Sequence, residues 1–311
     1  MRIKTGTTQI YIDRIQRSLE YICCHLDQSI SLEKLAKIAC FSPFHFHRIF
    51  RGLTGETVAD LTRRVRLEYA YYMLMQQKLD VTETAFEIGY ENVESFSRAF
   101  KKHFGFNPSK IPIVKSMEGF QTHDSYAVQL NFLPLKLDLY PIIGETTMKV
   151  RIAEIKEHPI AYIRHIGPYH EVGDTYSQLF AWANSKGLLN PLPTIYGFSW
   201  DDPTIVPANQ LRFDAAISLA KDKNLKVEKP VEISKFPAGL WAITRHQGSY
   251  EKIGNVFQEL MGNWLPTSNN LPDNKRPCLQ IYLNSPTNTK ETELLTDICI
   301  PIQKISSKNN F

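Results

Sequence analysis

No apolar run in the 311 residues reaches the roughly 20 that a helix needs to cross a bilayer, and the first amphipathic stretch is charged throughout. A soluble, cytoplasmic chain with no membrane partner is therefore expected. Cysteine is scarce. The five, Cys23, Cys24, Cys40, Cys278 and Cys299, show neither C-x-x-C spacing nor histidines at metal-site intervals, so buried thiols are expected and a structural metal is not. His45 and His47 lie two apart and point different ways on a helix, which denies one ion both rings. No G-x-x-x-x-G-K phosphate cradle occurs, and Ser199, near His170 and Asp201, lacks the glycines of a nucleophile elbow. Neither a cofactor nor an enzymatic activity is expected. Net charge is small, +4, and 43% hydrophobic with 22% charged residues excludes a disordered chain.

That small charge is unevenly placed. Residues 1–110 carry 16 Lys and Arg against 12 Asp and Glu, whereas residues 111–311 carry 20 against 20, so the excess lies in the first third. The same third holds the most regular pattern of the chain. From Asn92 to Lys110, Phe96, Ala99, Phe100 and Phe104 form a buried helical stripe, while Glu94, Ser95, Ser97, Arg98, Lys101 and Lys102 point elsewhere. Asn92 is a suitable N-cap and Gly105 a suitable stop. Ser42 to Gly55, S-P-F-H-F-H-R-I-F-R-G-L-T-G, repeats the pattern with Phe46, Arg48, Phe50 and Arg51 in matching places. A short helix precedes each copy, with Ala36 or Ala85 as its small residue, and the periodic stretch from Thr57 to Gln77 joins the two. A short helix, a tight turn and a second helix crossing close over an alanine make a helix-turn-helix unit. A connecting helix of about 30 Å suits two units reading adjacent major grooves about 34 Å apart.

Through F-S-P-F-H-F-H-R-I-F-R and A-F-E-I-G-Y-E-N-V-E-S-F-S-R-A-F-K-K-H-F-G-F-N-P-S-K, residues 9 to about 110 resemble the AraC-type transcription regulators. The resemblance implies a sequence-specific regulator, an activator, with promoter DNA and RNA polymerase as partners. DNA contact would fall on Phe44, His45, His47, Arg48 and Arg51 in one groove and on Val93, Glu94, Ser95, Ser97, Arg98 and Lys101 in the next. Arg48 and Arg98 are the expected base readers, because a guanidinium pairs bidentately with guanine.

Residues 111–146 read as a connector, with Leu130 to Ile143 expected to pack on one neighbour or the other. Beyond it lies a second duplication: R-H-I-G-P-Y-H-E-V-G at Arg164 recurs as R-H-Q-G-S-Y-E-K-I-G at Arg245, each copy after two strands and before an amphipathic helix and two more. The expected fold is thus an all-α N-terminal domain with two helix-turn-helix units over residues 1–110 and an α+β C-terminal domain over 147–305. The latter is built from two strand-strand-helix-strand-strand repeats. With Y-G-F-S-W-D-D-P, L-R-F-D-A-A-I and R-P-C-L-Q-I-Y-L-N-S-P, the second domain is similar to the GyrI-like effector-binding domains, an order of modules found in Rob-like regulators. That implies a pocket between the repeats for a small aromatic or hydrophobic effector, for which Tyr169, Tyr196, Trp200, Phe213, Gln280 and Tyr282 are the candidates. Gln280 stands where the R-P-x-x-E-x-Y pattern places glutamate, which implies a neutral pocket unless Asp214 or Glu293 reaches it. The alternative implied by the resemblance is a drug-sequestering module or a hydrolase of DNA-alkylating natural products. A duplicated His165 and His246 fits a structural role better than a catalytic one.

Overall fold

In the computed structural model, which describes residues 7–76, 79–111, 148–220, 225 and 227–305, side-chain caps set the helix boundaries of the N-terminal unit. The chain divides into two units near residue 142. Apart from Ile111, the connector expected over 111–146, with its Leu130 to Ile143 segment, lies outside the described residues. After α1 (Thr7–Cys24), Ser31 caps α2 (Leu32–Ile38), Ser42 caps α3 (Pro43–Thr54) and Thr57 caps α4 (Val58–Met75). Asp80 and Glu83 form a reciprocal capping box on α5 (Val81–Glu87), and Asn92 caps α6 (Val93–Phe104). Each such cap contributes about 1 kcal/mol. Both α3 and α6 stop at a left-handed glycine, Gly55 (φ 78°) and Gly105 (φ 83°), whose N–H donates to the carbonyl of Arg51 or Lys101.

The two tight turns differ at one position. Between α2 and α3 the left-handed residue is Cys40 (φ 55°); between α5 and α6 it is Gly89 (φ 77°). Cys40 is exposed, with room for a side chain whose Sγ donates to the Ile38 carbonyl (3.9 Å), whereas a Cβ on Gly89 would fall 2.8 Å from the Asp27 carbonyl oxygen. Only glycine fits there, and that close approach ties the second unit to the end of the first helix. The thiols depart from the expectation of burial: Cys278 and Cys299 are buried, Cys23 is half-buried, and Cys24 and Cys40 are exposed.

Ala36 and Ala85 are fully buried, as the close helix crossing requires. In the second unit Phe96 and Phe100 of α6 pack with Ala85 and Ile88 of the α5 segment and Leu67, Ala70 and Tyr71 of α4. Their rings lie 5.5 Å apart, centre to centre. Arg64 of α4 bridges two carboxylates, Glu56 at 2.9 Å and Glu68 at 3.2 Å. His103 of α6 faces the same cluster; burial, and then the Arg64 cation, lower its pKa, and among the described residues its Nε2 has no hydrogen-bond partner.

The C-terminal unit is a duplicated sheet. Its first half is β1 (Val150–Ile155), β2 (Pro159–Ile166), α7 (Val172–Ser185), β3 (Ile195–Ser199) and β4 (Arg212–Ser218). Its second half is β5 (Glu232–Lys235), β6 (Gly239–Gln247), α8 (Ile253–Glu259), a short β7 (Asn270–Pro272), β8 (Cys278–Tyr282) and β9 (Leu295–Lys304). The strands form one sheet in the order β1-β6-β9-β8-β3-β4-β2-β5, with β7 added on β9. All pairings are antiparallel, and the first strand of each half pairs in the other: β1 with β6, β5 with β2. The halves are therefore joined at the centre, through β3 and β8, and again at both edges.

Side chains alternate between the faces. Ala161, Ile163, Phe213, Ala215 and Ile217 turn toward Leu179 and Ala183 of α7. Ile160, Tyr196, Phe198, Trp241, Leu279 and Cys299 form a second core on the opposite face.

Candidate DNA-contacting helices and the aromatic site of the sheet

The α6 helix presents a charged surface because its aromatic stripe is consumed by the core. Glu94, Arg98, Lys101 and Lys102 are exposed, Val93, Ser95 and Ser97 are half-buried, and Phe96 and Phe100 are buried. Among the described residues, neither Arg98 nor Lys101 has a carboxylate partner, so both cations are uncommitted. The matching helix differs. On α3, His45, His47 and Arg48 are buried, Phe44 is half-buried and Arg51 is exposed. The Arg48 guanidinium lies 5.2 Å from the Phe44 ring centre, and His45 Nδ1 lies 2.8 Å from the capping Ser42 hydroxyl. Two helices with one sequence pattern thus have unequal exposure, α6 showing more of its polar face than α3.

In the second unit, the internal repeat aligns G-F-S-W-D-D-P at Gly197 with Q-I-Y-L-N-S-P at Gln280. These two aligned residues are also direct partners across β3 and β8, so the pseudo-two-fold axis passes between them. On the helix-facing side of this pair the side chains are aromatic and neutral. The Gln280 amide donates to Ser199 Oγ (3.0 Å) and its carbonyl accepts from the Tyr282 hydroxyl (2.6 Å). Tyr176 of α7 donates to the Tyr196 carbonyl (2.7 Å), and its ring meets Tyr282 edge-on at 5.8 Å. Tyr250 packs on Tyr282 at 5.4 Å from the other side, and Tyr169 on Phe213 at 5.6 Å. Burial pushes the phenol pKa of Tyr176 and Tyr282 well above its ordinary value, so both are hydroxyl donors at neutral pH.

Four of the six candidate ligand residues, Tyr169, Phe213, Gln280 and Tyr282, therefore share this side. Tyr196 and Trp200 do not: they alternate with Gly197 and Ser199 and lie on the opposite face, Tyr196 within the second core and Trp200 donating to Asp214 (2.7 Å). Tyr176 and Ser199 complete the helix-facing group in their place, together with Tyr250. Period-two alternation counted outward from Gln280 and its partner Gly197 identifies that face, and the doubled R-H-x-G-x-Y motif marks Tyr250 as the twin of Tyr169.

The doubled arginines and histidines have structural partners in both halves. Arg164 forms a bidentate pair with Asp214 (2.7 and 2.8 Å), and Arg245 does the same with Asp297 (2.8 and 3.1 Å). His165 and His246 bond through Nε2 to the carbonyls of Pro168 and Ser249. Asp214 is thus turned away from Gln280 and neutralised, and Glu293 is exposed in the turn before β9. Among the described residues no group of His, Cys, Asp and Glu side chains is arranged to hold a metal ion. No helix among them is long and apolar enough to cross a membrane.

Residues 148–303, half of the chain, match the GyrI-like small molecule binding domain family. The chain belongs to this GyrI-like family. Residues 35–111 match a helix-turn-helix domain family, and the N-terminal unit is an AraC-type helix-turn-helix domain. The regulatory protein SoxS of Salmonella typhimurium is 32% identical over 95 residues, 30% of this chain and 89% of that protein. The uncharacterized HTH-type transcriptional regulator YbfP of Bacillus subtilis is 35% identical over 98 residues, 32% of this chain; the match spans only 33% of YbfP. SPbeta prophage-derived YosT, from the same bacterium, is 28% identical over 165 residues, 50% of this chain and 100% of that protein. A GyrI-like domain joined to an AraC-type domain makes this chain a transcriptional regulator with a ligand-binding module.

Proposed function

We propose that the chain is a sequence-specific, ligand-responsive transcription activator that works in the cytoplasm on promoter DNA together with RNA polymerase. The observation that carries this reading is the exposed, unpaired Arg98 and Lys101 on a capped helix of a helix-turn-helix unit, in a chain whose other half is a small-molecule binding domain. In this reading α6 enters one major groove, with exposed Arg98 reading a base and exposed Lys101 holding a phosphate, while Glu94 and the half-buried Val93, Ser95 and Ser97 set its fit. The second groove falls to α3, which offers the exposed Arg51 and the half-buried Phe44, whereas His45, His47 and Arg48, expected at that contact, are buried. Because the two helices differ in sequence, one chain recognises a non-palindromic site with two unlike halves.

The effector in this reading is a small aromatic or hydrophobic molecule held near Gln280 among Tyr169, Tyr176, Phe213, Tyr250 and Tyr282. It is neutral, because the central side chain is an amide and the nearby strand carboxylates are bound to arginines on the opposite face. The same arrangement favours a sensor over a hydrolase: hydroxyls and an amide bind and orient, but supply no general base of carboxylate strength. Footprinting of the full chain on genomic fragments, with and without candidate neutral aromatics, tests the reading. A protected, asymmetric site whose occupancy changes with ligand is expected. Protection of random DNA to the same degree, or a perfect inverted repeat protected only by a dimer, would overturn it.

A further inference from the structure

The pseudo-two-fold at Gly197 and Gln280 relates two halves that are unequal where a ligand would sit. In the first half Phe213 fills the space over Gly197 so closely that a Cβ there would lie 2.5 Å from its ring carbon Cζ. Its neighbour Tyr169 is pinned, because the hydroxyl donates to the Asp201 carbonyl (2.8 Å) and lies 3.2 Å from the Asp201 N–H. That half is sealed.

Sequence alignment of the halves, L-R-F-D-A-A-I against L-L-T-D-I-C-I, places Thr296 where Phe213 stands and Tyr250 where Tyr169 stands. Thr296 lies in β9 as the cross-strand partner of Tyr282 on one side and His246 on the other, and so faces the helices with them. It is fully buried, and among the described residues its hydroxyl has no hydrogen-bond partner. Leaving a buried hydroxyl unmatched is unfavourable, so such a group in a binding domain calls for a partner absent from the free protein. Tyr250 differs from its twin in the same sense. It is half-buried, its ring packs on that of Tyr282, and among the described residues its hydroxyl bonds no protein group. In the first half Thr175 reaches His165 Nδ1 at 3.3 Å, whereas its counterpart Val256 offers His246 no such bond.

We propose that the ligand enters the second half alone, displacing the Tyr250 ring and hydrogen-bonding Thr296 Oγ1, and that it is a neutral planar molecule with a hydroxyl or carbonyl at its inner end. This rests on the reading of the helix-facing aromatic group as the effector site and adds which half is used, by what anchor and for what chemistry. Phe213 and the pinned Tyr169 exclude the first half, the free Tyr250 opens the second, and Thr296 supplies the polar contact that positions the ring system against Tyr282.

Calorimetric titration of the full-length chain with 2-naphthol, a neutral planar alcohol, and with N-methylquinolinium, a cation of like shape, tests this. Binding of 2-naphthol is expected, with the cation at least about tenfold weaker. Thr296→Val, which keeps the shape and removes the hydroxyl, should weaken 2-naphthol by about five- to tenfold, while Thr296→Ser stays within about twofold of the wild type. Because the hydroxyl is unmatched in the free protein, Thr296→Val should also melt at or above the wild-type temperature. A Thr296→Val protein that binds 2-naphthol normally would place the ligand elsewhere and leave the sensor reading standing. Tighter binding of the cation would refute neutrality, and a Thr296→Val protein that melts lower or fails to fold would show that the hydroxyl already has a partner. Binding of neither probe would count against the effector site itself.

Discussion

Gly197→Ala probes the closest packing in the C-terminal unit. The added methyl would stand 2.5 Å from Phe213 Cζ and 3.1 Å from both the Tyr176 and Tyr282 hydroxyl oxygens. The first distance is about 1 Å below ordinary carbon contact, and Phe213 is itself buried, so neither ring nor backbone yields freely. Overpacking of this kind costs about 1–3 kcal/mol, which for a unit of this size lowers the melting temperature by roughly 2–12 °C. Gly173 provides the control: it lies in the first turn of α7, where an added Cβ would meet nothing within 4 Å, so Gly173→Ala should stabilise slightly, by at most about 0.5–1 kcal/mol. Tryptophan emission makes the assay specific. All four tryptophans, Trp182, Trp200, Trp241 and Trp264, lie in the C-terminal unit, so a fluorescence melt of the whole chain follows that unit alone. Opposite shifts for the two variants are expected. Equal melting of Gly197→Ala and wild type would mean that Phe213 does not sit over the strand pair, and the argument for a sealed first half would fall with it.

Arg98→Ala should cost about 1–3 kcal/mol of specific DNA binding and relax preference at one base pair, whereas Lys101→Ala should weaken all sequences alike and reduce the salt slope by about one; competition binding against random DNA at several salt concentrations separates them, and equal losses on both DNAs would remove Arg98 as a base reader. His103 has a pKa below its ordinary 6.5, so its neutral form is the one the fold stabilises. That stability is complete above pH 6.5 and lost as the pH falls below it toward the lowered value, and far-UV circular dichroism melts should show a helical loss that His103→Gln abolishes. Gln280→Glu places a carboxylate within reach of the Ser199 and Tyr282 hydroxyls; it should shift preference from 2-naphthol toward N-methylquinolinium and destabilise the free protein above pH 5, by about 1.4 kcal/mol for each unit its pKa is raised, and an unchanged preference would separate Gln280 from the ligand.

The helices were legible because their signals are local. Ser42, Asn92, Gly55 and Gly105 announce the ends of α3 and α6 in their own chemistry, and the Phe96 and Phe100 stripe identifies the face that the core takes. What a residue's neighbours decide was not legible. The matched patterns of α3 and α6 do not predict that Arg48 is buried and Arg98 exposed. Cys40 in a left-handed turn also reads as an ordinary thiol until its φ of 55° is seen. In the sheet, the duplicated motif revealed two halves, but aromatic richness alone does not assign a face, and Tyr196 and Trp200 lie one residue out of phase with Gly197 and Ser199.

The edge exchange bears on why a duplicated domain can hold unequal halves. If each half formed its own closed sheet, a substitution that opened one half would be borne by that half alone. Here β1 of the first half is held along β6, from Val150 to Ile155, and β5 of the second along β2, so each half takes an edge strand from the other. The loss of Phe213's counterpart at Thr296 is therefore supported by pairing on both sides, through β8 to the centre and through β6 to a strand from the first half. The ion pairs repeat on the far face, exposed Arg164 with buried Asp214 and exposed Arg245 with buried Asp297, while near-face positions at the pseudo-axis differ, Phe against Thr, Ser against Tyr and Gly against Gln. Ion pairs that repeat in both halves, beside near-face residues that differ around the pseudo-axis, separate the task of folding from the task of recognition. The prediction that Thr296→Val stabilises the free chain and weakens the ligand is that separation at a single residue.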